Sequence, residues 1–483
     1  MESQLLSEIE EGNYIKMASR PTIISALGAI PKPNSSDIRL IHDCSQPVGG
    51  AVNDYATNDH FRYQTIDDAT QMITKDCYLA KVDLKSAYRS VKIHPSNYQA
   101  TGLQWKFAGD TKPTYLSDTR LPFGAKLAPS IFHRLTQSVR RMMARRGYDT
   151  MVVYLDDFLI IAPDFDSCVQ ALNILLRLLR RLGFRIAWKK VEGPTQRLTF
   201  LGIEINTNDL TLRLPLQKLN ELLDLLLSFS AKKRASRRQL ESLAGKLAWA
   251  CRVIKGGRTF LRRILDQLHK LRCPSHKILL SQDFKKDIQW WLTCLPLFNG
   301  AIKFVDPRPI TDVHIDASNL ASGIFHRGDW QYTLWSCDWP TASSLHINHK
   351  EVLSVILAAR RWGTVWRNST VHIFTDSTVA MACINHGTSR NPIVMTALRE
   401  LFWLSVYYNF NMHAIHVPGK DNCVPDAISR LHQSGQARRL YTLLYKDTSL
   451  QFCSADGFFS SFHNHMSDTA ASILLPQILR LKV

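Results

Sequence analysis

Two aspartates stand side by side at Asp156 and Asp157, between the apolar runs Met151–Tyr154 (MVVY) and Phe158–Ala162 (FLIIA). That pattern predicts a hairpin with an acidic tip. Adjacent carboxylates repel each other, and a bound cation offsets that cost. Asp83 ends a third run, Leu79–Val82 (LAKV), and supplies a further acid at a strand end. The chemistry open to such a set is nucleotide transfer. It needs a nucleophilic 3′ oxygen and a good pyrophosphate leaving group, and two Mg²⁺ ions about 3.5–4 Å apart serve both. Mg²⁺ favours a few carboxylates together with phosphate oxygens and water. Asp-Asp alone is ordinary turn chemistry; the flanking strands give the pair its weight.

A second set of acids lies in the C-terminal half. Asp316 ends a strand in which Val313 and Ile315 alternate with polar residues, and Glu351 lies near the start of a helix from about His349 to Trp366. Asp376 follows the strand Val371–Phe374, and Asp426 opens a short helix after Pro425. Singly, each reads as a cap or a surface charge, and Asp426 would serve as an N-cap. Strands are also expected at Ser322–Phe325, Gln331–Trp335 and Met412–Val417, with helices from Ser377 and over Ile393–Tyr407. The order is three strands, helix, strand, helices, strand, helix, and the four acids come from four of these elements.

The elements that must carry both sets fill a chain of 483 residues, enough for roughly three domains. A formal net charge of +19 favours a polyanionic partner, either nucleic acid or an anionic membrane surface. The membrane option is weak, because no run of about 18 apolar residues escapes a charge. The best stretch, Ala171–Phe184, is cut by Arg177, Arg180 and Arg181 and sits in an expected helix over Asp166–Gly183. The acidic, polar start is unlike a secretory signal, so an intracellular site, cytoplasm or nucleus, is expected. The ten cysteines contain no CxxC pair, which argues for buried reduced thiols rather than zinc knuckles or disulfides. Thr199–Ile205 reads as one strand. From Pro215 to about Gly300 the chain reads as helical and basic, with clusters at Lys232-Lys233-Arg234, Arg237-Arg238 and Arg262-Arg263. Such a stretch either tracks a nucleic-acid backbone or is a solvated basic face. Ala301–Thr311, with two prolines, reads as a linker.

Taken with their order, these motifs resemble those of reverse transcriptases. Tyr154-Leu155-Asp156-Asp157 is similar to the YxDD element. Lys81–Pro95 (KVDLKSAYRSVKIHP) resembles the first catalytic motif, and Leu121–Phe132 (LPFGAKLAPSIF) the template- and nucleotide-positioning motif. Ala29–Asp43 resembles the fingers hairpin, and Phe200-Leu201-Gly202 the primer grip. Arg39–Asp54 (RLIHDCSQPVGGAVND), taken with KSAYR, LPFG and YLDDF, most resembles the DIRS-like, tyrosine-recombinase retrotransposons. Pararetroviral and Gypsy-like polymerases are the alternative relatives. The C-terminal set resembles the four carboxylates of ribonuclease H.

The resemblance implies an α/β and α+β multidomain fold. A right-hand polymerase (fingers, ferredoxin-like palm, helical thumb) would be followed by an RNase H-like mixed β-sheet domain. Fingers and palm would occupy residues 1–213, thumb 214–300, linker 301–311 and the RNase H-like domain 312–431, with 432–483 unassigned. Catalytic and metal-holding roles fall on Asp83, Asp156 and Asp157, and on Asp316, Glu351, Asp376 and Asp426. Nucleotide contacts fall on Lys32, Arg39, Tyr88 (as a steric gate against a 2′-OH), Phe123, Gly124 and Lys190. Phe123 stands where retroviral enzymes carry a polar residue. The implied cofactor is Mg²⁺, two per active site, with Mn²⁺ as a substitute. The implied partners are an RNA template, a DNA primer, RNA–DNA hybrid and dNTPs, with no membrane. His416 is either a product-release histidine or an ordinary strand-end residue.

Overall fold

The computed structural model describes residues 1–31, 38–57, 60–305 and 308–445. The chain divides into two compact units, Met1–Pro215 and Leu216–Val483.

In the first unit, a four-stranded antiparallel sheet is the platform. Its strand order is Met151–Tyr154, Asp157–Ala162, Tyr78–Asp83, Glu192–Thr195. The helices Ala128–Ala144 and Phe165–Arg181 intervene in sequence, which makes the ferredoxin-like βαββαβ order of a polymerase palm. Helix Phe165–Arg181 forms because its apolar residues recur on one face. Cys168, Ala171, Leu172, Leu175, Leu178 and Leu179 are buried, while Asp164 caps the start by accepting from Ser167 N–H at 2.8 Å. These side chains meet Val82, Val153, Phe158 and Ile160 from one face of the sheet. Beside the palm a five-stranded fingers sheet runs in the order Tyr14–Lys16, Thr114–Asp118, Gly102–Trp105, Ile24–Pro31, Ile38–Asp43.

The run Thr199–Ile205 is not one strand. Leu201 and Gly202 both take positive φ, 46° and 77°, and turn the chain between strands Arg197–Phe200 and Ile203–Asn206. An unbroken apolar run hides such a turn, because only the glycine marks it.

The second unit begins with helices Leu216–Ala231, Arg237–Ala250, Arg262–His269 and Gln282–Phe298. Between them lies a two-stranded ribbon of Arg234–Ser236 with Lys277–Leu279, which the helical reading omitted. The expected linker is shorter than 301–311, since a strand already starts at Ile310. That strand is the centre of a five-stranded mixed sheet ordered Asp329–Leu334, Ala321–His326, Ile310–Ala317, Thr370–Thr375, Asn411–His416. The last three strands are parallel and the first pairings antiparallel, the RNase H-like arrangement. Helix Ile347–Trp362 crosses one face and is buried almost all round. Helix Cys423–Ser429 covers the other, together with helix Gln436–Tyr445 from the stretch left unassigned, through Leu431, Ala437 and Leu440.

Asp287 is fully buried between the helical segment and this sheet domain. It accepts from Arg263 Nη1 at 3.1 Å and lies 3.6 Å from Arg399 Nη2 on helix Pro392–Tyr407. Burial pushes its carboxyl up to about 6 against the pull of both arginines. Nearby, Phe260 stacks on Trp290 at 4.1 Å and meets Phe402 edge-on, and Thr259 Oγ1 donates to Gly387 O at 2.8 Å.

Gly323 lies where helix Cys423–Ser429 crosses the sheet, and a Cβ there would run into the backbone of Pro425 and Ser429. Gly245, inside helix Arg237–Ala250, has open space around its missing Cβ. Gly323→Ala should therefore destabilise the second unit by about 1–3 kcal/mol through overpacking. Gly245→Ala should stabilise it by up to about 1 kcal/mol through helix propensity. Thermal unfolding of the full chain reads both, and shifts of the same sign would contradict this packing.

Candidate active sites

The palm brings its acids together by register. Asp83 is paired with Asp157 across the two central strands. The turn Leu155-Asp156 joins Tyr154 to Asp157, with Leu155 at φ 51°. Asp156 O accepts from Leu84 N–H at 3.1 Å, and Asp83 O accepts from Ala187 N–H at 2.9 Å. The acidic tip is thus pinned to the backbone just beyond Asp83. Lys190 Nζ donates to Asp83 Oδ2 at 2.8 Å, and that bond raises the lysine's pKa. Asp157 is pushed up to about 7, first by burial and then by the charges of Asp156 and Asp83, with Lys190 opposing. The crowding is what a bound cation would relieve, so these residues fit a metal.

A cavity of about 580 Å³ opens over this corner, lined among others by Glu8, Asp83, Tyr88, Phe123, Asp156 and Lys190. The Tyr88 ring lies 4.8 Å from Phe123 and 5.5 Å, edge-on, from Phe132. Burial, then the neighbouring Tyr63 hydroxyl and Asp156, push its hydroxyl up to about 12. Gly124 has φ +124°, and a Cβ there would collide with His42 O. Its missing Cβ lets the chain lie close to the strand Ile38–Asp43. Lys32 lies outside the described residues; Arg39 lies on strand Ile38–Asp43, paired with Ile30. Phe200, Leu201 and Gly202 form the hairpin turn described above, with Phe200 fully buried. Glu8, from the N-terminal helix Glu2–Glu10, gave no sequence signal; only the fold carries it to the cavity.

In the second unit, Asp316, Glu351 and Asp376 offer ligand atoms that all lie within 4.8 Å of one another. Glu351 Oε1 accepts from Ala317 N–H at 2.7 Å and Oε2 from Thr375 Oγ1 at 3.3 Å. Asp316 Oδ2 accepts from Ser429 Oγ at 2.5 Å. Ser429 and Thr375 were missed in the sequence, since hydroxyls beside acids are common and only the fold aims them. Burial raises Asp316 to about 7, with Asp376 and Asp426 adding to it and Ser429 opposing. Glu351 is raised well above the usual range by burial, then by Asp316. Three convergent acids, two of them buried, form a donor set that suits a hard divalent cation. Asp426 does not join the three. Arg430 Nε donates to its Oδ1 at 2.6 Å and Arg439 Nη1 to its Oδ2 at 2.8 Å. Arg439 comes from helix Gln436–Tyr445, beyond the expected domain end, which is why sequence spacing could not foresee it. His416 ends its strand, exposed, opposite Thr375.

The fold is that of a right-hand polymerase followed by an RNase H-like domain. Residues 30–205 match the family described as reverse transcriptase (RNA-dependent DNA polymerase). The chain is 28% identical over 174 residues to the Gag-Pol polyprotein of Koala retrovirus, covering 36% of this chain and 10% of that protein. It is 23% identical over 400 residues to the Transposon Tf2-3 polyprotein of Schizosaccharomyces pombe, covering 79% of this chain and 27% of that protein. The chain thus spans well under two thirds of the polyproteins it matches. In fold it is similar to the foamy viral protease-reverse transcriptase solved in complex with RNA/DNA hybrid. There the TM-score is 0.55 at 14% identity, over 86% of this chain and 53% of that one.

The pH dependence of the second site follows from the raised carboxyls. A carboxyl whose folded pKa lies above its unfolded value favours the folded state below the unfolded value, and loses that advantage as pH rises through the folded one. For Asp316 the loss spans from near 4 to about 7. In EDTA at pH 8, Asp316→Asn should therefore melt above the native chain, and at pH 4 the difference should shrink. Millimolar Mg²⁺ or Mn²⁺ should raise the native melting temperature at pH 8 and raise that of Asp316→Asn less, since the palm acids still bind metal there. A metal response of equal size in both would remove Asp316 from the site.

Proposed function

We propose that this chain is the RNA-directed DNA polymerase of a retroelement, with a C-terminal ribonuclease H activity that degrades RNA in RNA–DNA hybrids. The observation that carries it is the convergence of Asp83, Asp156 and Asp157 at one corner of the palm, inside the segment that matches the reverse transcriptase family. On this reading residues 1–213 are fingers and palm, 214–300 a thumb and 312–431, extended by the helix to Tyr445, the nuclease domain. We read the element as nearest the DIRS-like group from its motif strings, and as working in the cytoplasm or nucleus. RNA template, DNA primer, dNTPs and RNA–DNA hybrid are its partners. The similarity in fold to a reverse transcriptase solved with RNA/DNA hybrid supports this, as does a basic helical segment suited to phosphate contacts, which position a duplex without reading its sequence.

Asp83, Asp156 and Asp157 would hold Mg²⁺ in the palm, and Asp316, Glu351 and Asp376 in the second unit. When bound, paired Mg²⁺ ions activate the attacking oxygen and stabilise the leaving one. The rest falls to the chain's own groups. Lys190 keeps its proton beside Asp83 and is placed to give it to a leaving pyrophosphate. Tyr88, braced by Phe123, bounds the sugar end of the cavity and would exclude a 2′-OH. Lys32 and Arg39 supply a point charge and a forked donor for the triphosphate. Ser429, Thr375 and the Ala317 N–H fix the orientation of the nuclease carboxylates. Asp426, held by Arg430 and Arg439, would be the fourth acid of the set.

Primer extension on labelled RNA with Mg²⁺ tests both activities in one tube. The native chain should extend the primer and cut the template in the hybrid. Asp156→Asn should lose roughly 10³-fold in extension, about 4 kcal/mol of barrier, and keep cleavage. Asp376→Asn should do the reverse. Hybrid binding that is steeply salt-dependent, with neither activity, would mark a polymerase fold used only as a scaffold. Cleavage without extension would make the first unit a binding module.

A further inference from the structure

Arg89 follows Tyr88 in the short turn Ala87–Ser90, and the chemistry above makes no use of it. Its side chain is 10% exposed and saturated with partners. Nη1 donates to Asp118 Oδ1 at 2.7 Å and Oδ2 at 2.6 Å, Nη2 donates to Tyr14 Oη at 3.0 Å, and Nε lies 3.1 Å from Glu8 Oε2. The guanidinium also sits 4.9 Å from the centre of the Tyr14 ring. Asp118 is fully buried at the end of strand Thr114–Asp118, is paired in register with Tyr14, and accepts again from Arg120 N–H at 3.0 Å.

We propose that Arg89 is a positioning residue for nucleotide selection: anchored by Asp118, Tyr14 and Glu8, it fixes the turn that sets the Tyr88 ring in the cavity. The inference rests on the polymerase reading and adds to it a determinant in the fingers sheet.

Three observations support it. The Tyr88 ring meets Phe123 and Phe132 at defined angles, and the backbone turn that presents it decides where those contacts can form. That backbone is unusual. Ser86, just before the turn, takes φ 53° and ψ 48°, a left-handed conformation that a side chain resists and that surrounding structure must hold. Arg89 ties this turn to the fingers sheet. Its N–H donates to Ser86 O at 2.9 Å, while its side chain locks into the sheet. Finally, a buried ion pair adds little net stability over a well-packed apolar replacement, so what Asp118 and Arg89 supply is geometry. Glu8 reaches this network from the N-terminal helix, whose Leu5 is fully buried in the fingers core.

The test is single-nucleotide incorporation with dNTP and with rNTP, giving kcat and KM for each, on the full chain and on Arg89→Met, Arg89→Lys and Tyr14→Phe. Circular dichroism and thermal unfolding check that each variant is folded. Arg89→Met should lower the dNTP-over-rNTP preference by roughly tenfold to 100-fold, the scale of a small misplacement, mainly through a higher KM for dNTP and a lower one for rNTP. Arg89→Lys should recover part of the preference, and Tyr14→Phe should lose a smaller part. A structural role alone would lower kcat for both nucleotides equally, and an unchanged preference in folded Arg89→Met overturns the proposal. Should Arg89→Met not fold, Tyr14→Phe decides, since it removes one hydroxyl, and an unchanged preference there also overturns it. A native chain that incorporates dNTP without preference refutes the positioning role while the polymerase reading stands. A native chain that incorporates neither refutes both.

Discussion

At the corner of the palm the folded backbone presses the Asp157 carboxyl against Asp83 and Asp156, where little water reaches it. The same happens to Asp316 and Glu351 in the second unit. Like charges in a poorly solvated place are costly, and the rest of each unit exists to keep them there. In the palm the force is applied by register, since antiparallel pairing fixes which residues stand opposite. In the second unit it is applied by backbone and hydroxyl donors, with Ala317, Thr375 and Ser429 each spending a hydrogen bond on a carboxylate oxygen. The core packing behind both sheets is what makes this crowding affordable.

The balance differs between the two corners. Asp83 has a built-in counter-charge in Lys190. Among the described residues, the tight three-acid cluster of the second unit has its nearby arginines turned to Asp426 instead. The palm acids therefore carry an ammonium counter-charge that the three-acid cluster lacks, while carboxyl pKa values are raised in both. A cation entering the palm competes with that ammonium group as well as with protons. One entering the second site competes with protons.

Much of this was legible in the sequence, and the reasons can be named. Strands ending in acids announce themselves because apolar runs and charged ends are both local signals. The runs before Asp83, Asp156 and Asp376 all became strands with the expected ends. Features that depend on distant partners were not legible. The turn at Leu201-Gly202 hid inside an apolar run. The role of Gly124 depended on where His42 would lie. The separation of Asp426 depended on Arg439, from a helix whose own pattern was too short to read. Glu8 and Asp118 carry no local mark of their importance either, since one sits on an ordinary amphipathic helix and the other at an ordinary strand end.

The buried Asp287 bears on how this chain can be divided. It takes one arginine from the helical segment, Arg263, and another from the sheet domain, Arg399. Cutting the chain at the proline-bearing stretch after Gly300 would strip away one partner and bare the Phe260–Trp290 face that Phe402 covers. The cut would leave Arg399 without its acid and an apolar face uncovered. The seam visible in the sequence is thus not a seam in cohesion. Recombination that exchanged the RNase H-like domain there would have to exchange the helical segment as well, so the two are expected to be inherited as one block.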